Sequence, residues 1–144
     1  MQFLVNREKL SKILLIISHQ VISKPVLPVL ANILFEAEKK TLKVAATNLE
    51  LGGAFNLEAK VAKSGKTTLP AKTLTDFILT LTKSEVSFQL ENSEMEVASG
   101  ASVAKIPTIS ADEYPAIPKI EKTAAQISGE RLTRALERIT FAAS

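Results

Sequence analysis

One pattern recurs three times along this chain, and few folds can accommodate it. Phe3-Leu4-Val5 is short and apolar, and Asn6 is a favoured helix N-cap. Leu10, Ile13, Leu14 and Ile17 then fall at i, i+3, i+4 and i+7, one face of a helix opening at Arg7. Thr67-Thr68-Leu69, followed by Leu74, Phe77, Ile78 and Leu81, repeats the arrangement. Gln126-Ile127, followed by Leu132, Ala135, Leu136 and Ile139, repeats it again. Val5, Leu69 and Ile127 correspond, so the offsets are 64 and 58 residues. A period near 60 residues marks a duplicated structural unit.

Between the helical stretches the period changes from 3.6 to 2. Asn32–Phe35 and Thr41–Ala45 flank the polar turn Glu38-Lys39-Lys40, and residues 49–57 alternate around Gly52 and Gly53, which suggest a bulge or bend. In the second unit, Val86–Leu90, Met95–Ala98 and Val103–Ile106 alternate between turns at Asn92-Ser93 and Ser99-Gly100. Each unit therefore reads β-α-β-β-β, and two units fill residues 1 to about 110. The expected class is α+β, with two helices on one face of antiparallel sheets. Residues 107–122 hold Pro107, Pro115 and Pro118 and read as a linker, after which the third strand-helix begins.

Composition removes several functions. The 144 residues include no cysteine and one histidine, which excludes a disulfide framework, a thiolate zinc site and a cysteine nucleophile. His19 lies at a helix end, a structural position. The apolar run Ile13–Ile17 is too short for a signal peptide or a bilayer span, so no membrane association is expected. Gly65-Lys66-Thr67 lacks the earlier glycine of a P-loop, because Lys60 stands there, and it leads into a strand. No catalytic constellation, metal-ligand spacing or cofactor signature emerges, so neither an enzyme nor a cofactor is expected.

The net charge of +3 conceals a segregated distribution. Arg7, Lys9, Lys12 and Lys24 face only Glu8 in residues 1–24, and Lys60, Lys63, Lys66, Lys72 and Lys83 face only Asp76 in residues 60–83. Residues 84–124 instead carry Glu85, Glu91, Glu94, Glu96, Asp112, Glu113 and Glu121 against three lysines. The helical units read as basic and the meanders as acidic. Arg131, Arg134 and Arg138, at i, i+3 and i+7, add a cationic helix face that suits a phosphate backbone. The residues alone leave open a stand-alone module whose basic face binds RNA or an acidic protein.

Taken together, the repeat, the charge split and several local motifs resemble the bacterial DNA polymerase III β subunit, the replicative sliding clamp. The motifs are Met1-Gln2-Phe3 with Arg7-Glu8 and Leu10, Lys24-Pro25-Val26-Leu27-Pro28-Val29-Leu30-Ala31-Asn32-Ile33-Leu34, Ala46-Thr47-Asn48-Leu49-Glu50, Thr67-Thr68-Leu69-Pro70-Ala71-Lys72, Ser99-Gly100 and Glu113-Tyr114-Pro115. The chain departs from the family at Lys24 and Lys72, where arginine is frequent, and at Asn48, where aspartate is. Charge survives at the two lysines, but the forked guanidinium does not.

The resemblance implies a processivity-clamp fold and a non-enzymatic role. Such clamps close head-to-tail into a dimeric ring around duplex DNA, contact it without sequence preference, and confer processivity on the polymerase in the bacterial cytoplasm. By position, Lys24 and Lys72 would contact DNA, and Leu74, Phe77, Ile78, Ala104 and Ile106 would lie at the ring-closing dimer edge. Residues 1–120 would be the N-terminal clamp domain and residues 121–144 the strand and helix that open a second. On that expectation the chain is an N-terminal fragment, without the pocket that docks polymerase and clamp-loader peptides.

Overall fold

Asn6 ends the first strand, β1 (Gln2–Asn6), and starts the first helix, α1 (Arg7–Ser18). Its Oδ1 accepts the Lys9 backbone N–H at 3.0 Å, supplying one of the partners that a helix start lacks. The second unit makes the same transition from β5 (Gly65–Pro70) into α2 (Ala71–Thr80), with Pro70 at the cap and no side-chain bond. The computed structural model describes residues 1–21, 25, 27–117 and 126–142. The expected unit appears twice: β1-α1-β2-β3-β4, with β2 (Asn32–Glu38), β3 (Thr41–Thr47) and β4 (Gly52–Lys63), then β5-α2-β6-β7-β8, with β6 (Glu85–Glu91), β7 (Glu94–Ser99) and β8 (Ser102–Pro107).

The strands form one antiparallel sheet in the order β5-β2-β3-β4-β1-β6-β7-β8. The two units are therefore interlocked. The first strand of unit one, β1, pairs with β6 of unit two (Phe3 opposite Phe88), and β5 of unit two pairs with β2 of unit one (Leu69 opposite Ile33). β1 also pairs with β4 of its own unit. The matching contact in unit two is a single bridge between Thr68 and Ile109, where the Thr68 N–H donates to the Ile109 carbonyl at 3.1 Å.

Both helices lie against one face of this sheet and against each other, α1 over β3 and β4 and α2 over β5 and β8. The predicted stripes are the ones that turn inward. Leu10, Leu14, Ile17, Leu74 and Ile78 are fully buried, Leu81 is buried, and Ile13 and Phe77 pack at the margin. Phe3, Phe35 and Phe88, from β1, β2 and β6, meet at the seam of the two units with ring centroids 4.7 to 6.4 Å apart. Such aromatic contacts add to area burial.

The opposite face of β2 and β3 has its own cover. Residues 109–117 fold back over the sheet, and Val29, Leu30, Leu34, Ala45 and Tyr114 form a second apolar cluster. The Tyr114 hydroxyl accepts the Thr47 N–H at 3.1 Å and donates to the Asn32 carbonyl at 3.4 Å. Asn32 Nδ2 donates to Thr68 Oγ1, which donates to the Ile109 carbonyl. The stretch expected to be a linker between domains is, as far as Ile117, pinned to the first domain as a strap. Its prolines suit an extended strap as well as a linker.

Other expectations also change. Residues 49–51 form a turn closed by Asn48, whose Oδ1 accepts the N–H groups of Glu50 and Leu51, and the strand begins only at Gly52. Gly52 and Gly53 keep regular register opposite Thr47 and Ala46, and the register shift lies instead between Gln2 and Phe3. A Cβ at Gly53 would stand 2.6 Å from Gln20 Oε1 and would displace the end of that side chain. Gln126 and Ile127 form no strand, although α3 (Gly129–Ile139) follows as expected. Among the described residues nothing packs on α3, so Leu132, Leu136 and Ile139 are exposed.

Replacing Tyr114 by phenylalanine strands the buried Thr47 N–H and should lower unfolding stability by about 1–3 kcal/mol in urea titrations followed by circular dichroism. Burial raises the Tyr114 phenol above its ordinary value, while its hydrogen bond from Thr47 acts in the opposite direction. The phenol's contribution is therefore present below about pH 10 and lost as pH rises through the folded-state value. The stability drop from neutral to strongly alkaline pH should accordingly be smaller in Tyr114→Phe.

Candidate nucleic-acid interface

Burial of one stripe decides what each helix shows to solvent. On α1, positions 8, 12 and 15 lie opposite Leu10, Leu14 and Ile17. On α2, positions 72, 76 and 79 lie opposite Leu74 and Ile78. The two crests therefore carry Glu8, Lys12 and Leu15 beside Lys72, Asp76 and Leu79. Because α1 and α2 pack together, these side chains form one solvent-facing surface.

Their charges are largely neutralised where they stand. Lys12 Nζ lies 3.0 Å from Glu8 Oε1, and Lys72 Nζ lies 2.7 Å from Asp76 Oδ2. Hydrogen bonding to Asp76, reinforced by its charge, holds the Lys72 ammonium above its ordinary pKa. The hydrogen bond from Lys12, reinforced by that charge, holds the Glu8 carboxyl below its own. Arg7 and Lys9 complete the surface, and neither forms an ion pair among the described residues. The helix pair thus bears four cations against two carboxylates, a mild positive excess.

The basic excess expected of residues 60–83 belongs mostly to strands. Lys60 and Lys63 stand on β4 and Lys66 on β5, with Lys83 in the turn before β6. Lys43, Lys60 and Lys66 are paired with Glu36, Glu85 and Asp112 at 2.7, 3.1 and 2.5 Å. On β6 and β7, Glu91, Glu94 and Glu96 are exposed and alternate with core residues such as Met95 and Val97, which places an acidic surface on the side of the sheet away from the helices.

Of the residues assigned to DNA contact, Lys72 stands in the first turn of α2 with its side chain 88% exposed. Lys24 lies outside the described residues. Arg131, Arg134 and Arg138 are exposed on α3, and Arg134 Nη2 lies 2.6 Å from Glu130 Oε1. Sequence reasoning passed over Leu15, Ile16 and Leu79, which are about half exposed on the same helix surface. Their signal was present, since the run Ile13–Ile17 holds more apolar residues than one stripe can bury.

The residues assigned to the dimer edge divide into two groups. Leu74, Ile78 and Ile106 are core residues, at most 1% exposed, so their side chains are not available to a partner. Phe77 and Ala104 pack on the core while keeping part of their surface in solvent. Val103, which was not singled out, is 56% exposed on β8. β8 is the last strand of the sheet order, so one of its sides carries no strand partner among the described residues. Such an edge is open to further pairing. Among the described residues, no three His, Cys, Asp or Glu side chains are grouped to hold a metal ion, and no helix is long and apolar enough to cross a membrane.

Comparison with known proteins gives a consistent picture. The family model described as the DNA polymerase III beta subunit, N-terminal domain, matches residues 1–118. A beta sliding clamp of Synechococcus elongatus is 34% identical over 148 residues, covering 100% of this chain and 40% of the relative. The beta sliding clamp of Escherichia coli is 33% identical, covering 95% of this chain and 39% of the relative. The crystal structure of the DNA polymerase III subunit beta from Pseudomonas aeruginosa superposes with a TM-score of 0.86 at 27% identity, covering 98% of this chain and 39% of that one. The chain thus spans about two fifths of the length of these relatives.

Substitutions on α2 should separate core from surface. Leu74→Ala should lower unfolding stability by about 2–5 kcal/mol, the cost of a cavity in a packed core. Asp76→Ala, which breaks only an exposed pair, should move the thermal midpoint by less than about 2 °C.

Proposed function

Through residues 1–118 this chain belongs to the DNA polymerase III β subunit family, and we propose that it supplies a domain of a sliding clamp, a head-to-tail dimeric ring that encircles duplex DNA and keeps the replicative polymerase on it. The observation that carries this reading is the paired helix surface: mildly cationic, built from two equivalent helices, and set on the face of the sheet away from the acidic β6 and β7 surface. Facing a duplex, that surface touches phosphates and no base edges, so its contacts are indifferent to sequence. Lys72 is the contact best placed for this, joined by Lys24 and, on the next helix, by Arg131, Arg134 and Arg138.

The free side of β8 is the proposed ring-closing edge, where backbone groups continue the sheet into a partner domain. Phe77, Ala104 and Val103 supply its side-chain contacts, while Leu74, Ile78 and Ile106 hold the edge in shape from beneath. The protein acts as a processivity subunit and performs no chemistry of its own. Polymerase and clamp loader are its proposed partners, and the bacterial cytoplasm its proposed place of action.

The assembled protein should stay on nicked circular DNA and slip off once the circle is cut. Equal retention on circular and linear DNA would remove the topological mechanism. Lys24→Ala combined with Lys72→Ala should flatten the dependence of log K on log salt by up to about 1.8, two phosphate contacts at about 0.9 each.

A further inference from the structure

The three helices share a feature that the clamp reading does not use. Glu8 and Lys12 on α1, Lys72 and Asp76 on α2, and Glu130 and Arg134 on α3 each form an exposed ion pair across one turn, at 3.0, 2.7 and 2.6 Å. These pairs occupy one position of the repeat. Positions 8, 72 and 130 are separated by the same 64 and 58 residues that separate Val5, Leu69 and Ile127, and so are positions 12, 76 and 134. On α2 the order of the charges is reversed. What recurs is therefore the pairing of a cation with a carboxylate on the crest, not a given charge at a given site.

Helix stabilisation does not account for the whole of this arrangement. All six side chains are 61% exposed or more, and exposed pairs contribute little. On α2 the cation sits in the first turn and the carboxylate follows, the poorer orientation relative to the helix dipole. A helix selected only for stability would place the acid first, as α1 and α3 do.

We propose that the carboxylates of Glu8, Asp76 and Glu130 are built-in counterions that compete with DNA phosphates for Lys12, Lys72 and Arg134, and so set how firmly the helix surface grips the duplex. This inference rests on the clamp reading and names the control of the same surface. A phosphate that approaches Lys72 exchanges one ion pair for another. The displaced Asp76 carboxylate then stands among phosphates and draws cations back from solution, which opposes the counterion release that drives binding. When the phosphate moves on, the carboxylate receives the ammonium again. Each of these contacts is weak and reversible, and Lys12, Lys72 and Arg134 are not left bare between successive phosphates. A surface of unopposed lysines would hold the duplex in place, whereas a self-neutralised one lets it pass.

The test measures binding of a short duplex by fluorescence anisotropy across a salt series, with circular dichroism confirming the fold. Glu8→Gln, Asp76→Asn and Glu130→Gln together should raise affinity at low salt by about two- to fivefold per site. They should also steepen the salt dependence by up to about 0.9 for each cation released. The double variant Glu8→Gln with Asp76→Asn should show the share belonging to α1 and α2 if the change on α3 unsettles that helix. Asp112→Asn is the control, because it frees Lys66 and adds one charge, as each of the three substitutions does, on the face of the sheet opposite the helices. It should change neither quantity. Wild-type values in the triple variant, a gain in Asp112→Asn equal to the gain per site of the triple variant, or no duplex binding in any form at the lowest salt would each overturn the counterion role. The clamp reading stands or falls separately, on retention by circular against linear DNA.

Discussion

Every other feature of this domain depends on an exchange of strands between its two halves. β1 is hydrogen-bonded on one side to its own unit and on the other to β6, and β5 completes the sheet of the unit it does not belong to. Each helix lies over strands of its own unit, and neither is buried by those strands alone, because α1 and α2 cover each other where they pack together. The three clustered phenylalanines sit at this crossing, contributed by β1, β2 and β6. The exchange also forces α1 and α2 side by side, so the repeat produces a two-helix surface and not two separate helices. Pairings such as Phe3 with Phe88 close long loops, which places this fold among the slower-folding ones.

The resulting helix surface is more restrained than its lysines suggest. A tally of cations gives the helical units a strong basic character, yet the folded chain ties Lys12 and Lys72 to carboxylates one turn away and moves Lys60, Lys63 and Lys66 onto strands. Net charge is a sum over the sequence, but a ligand responds to charge that is unpaired and on its side of the molecule.

The repeat was legible because it rests on local rules. Asn6 caps α1, the stripes at i, i+3, i+4 and i+7 are buried, and Lys39, Asn92, Ser93 and Gly100 adopt the positive φ that their turns require. What was not legible depends on contacts between distant residues. Three prolines describe a strap and a linker equally well, and only the Tyr114 hydroxyl, meeting Thr47 and Asn32 across more than sixty residues, makes the segment a strap. Leu49 to Leu51 alternate like a strand, but Asn48 offers their backbone a closer partner. Gln126 and Ile127 have strand composition and no neighbouring strand among the described residues. For the candidate site, the positions of Lys72 and of the arginines on α3 were readable. The burial of Leu74, Ile78 and Ile106 follows from which side of α2 and β8 the core occupies, and correspondence by position alone does not carry that information.

The two units close their strands unequally, and this has a mechanical consequence. Where β1 meets β4 the ladder runs over several residues, but the equivalent meeting of β5 with the chain after β8 is the single Thr68–Ile109 bridge. The Tyr114 strap leads directly away from that bridge. Tension applied through residue 117 therefore peels one bridge and a few side-chain bonds in sequence, while the β1–β4 ladder lies deeper in the sheet. The domain thus has a compliant seam on the side where its chain continues and a stiff one on the other.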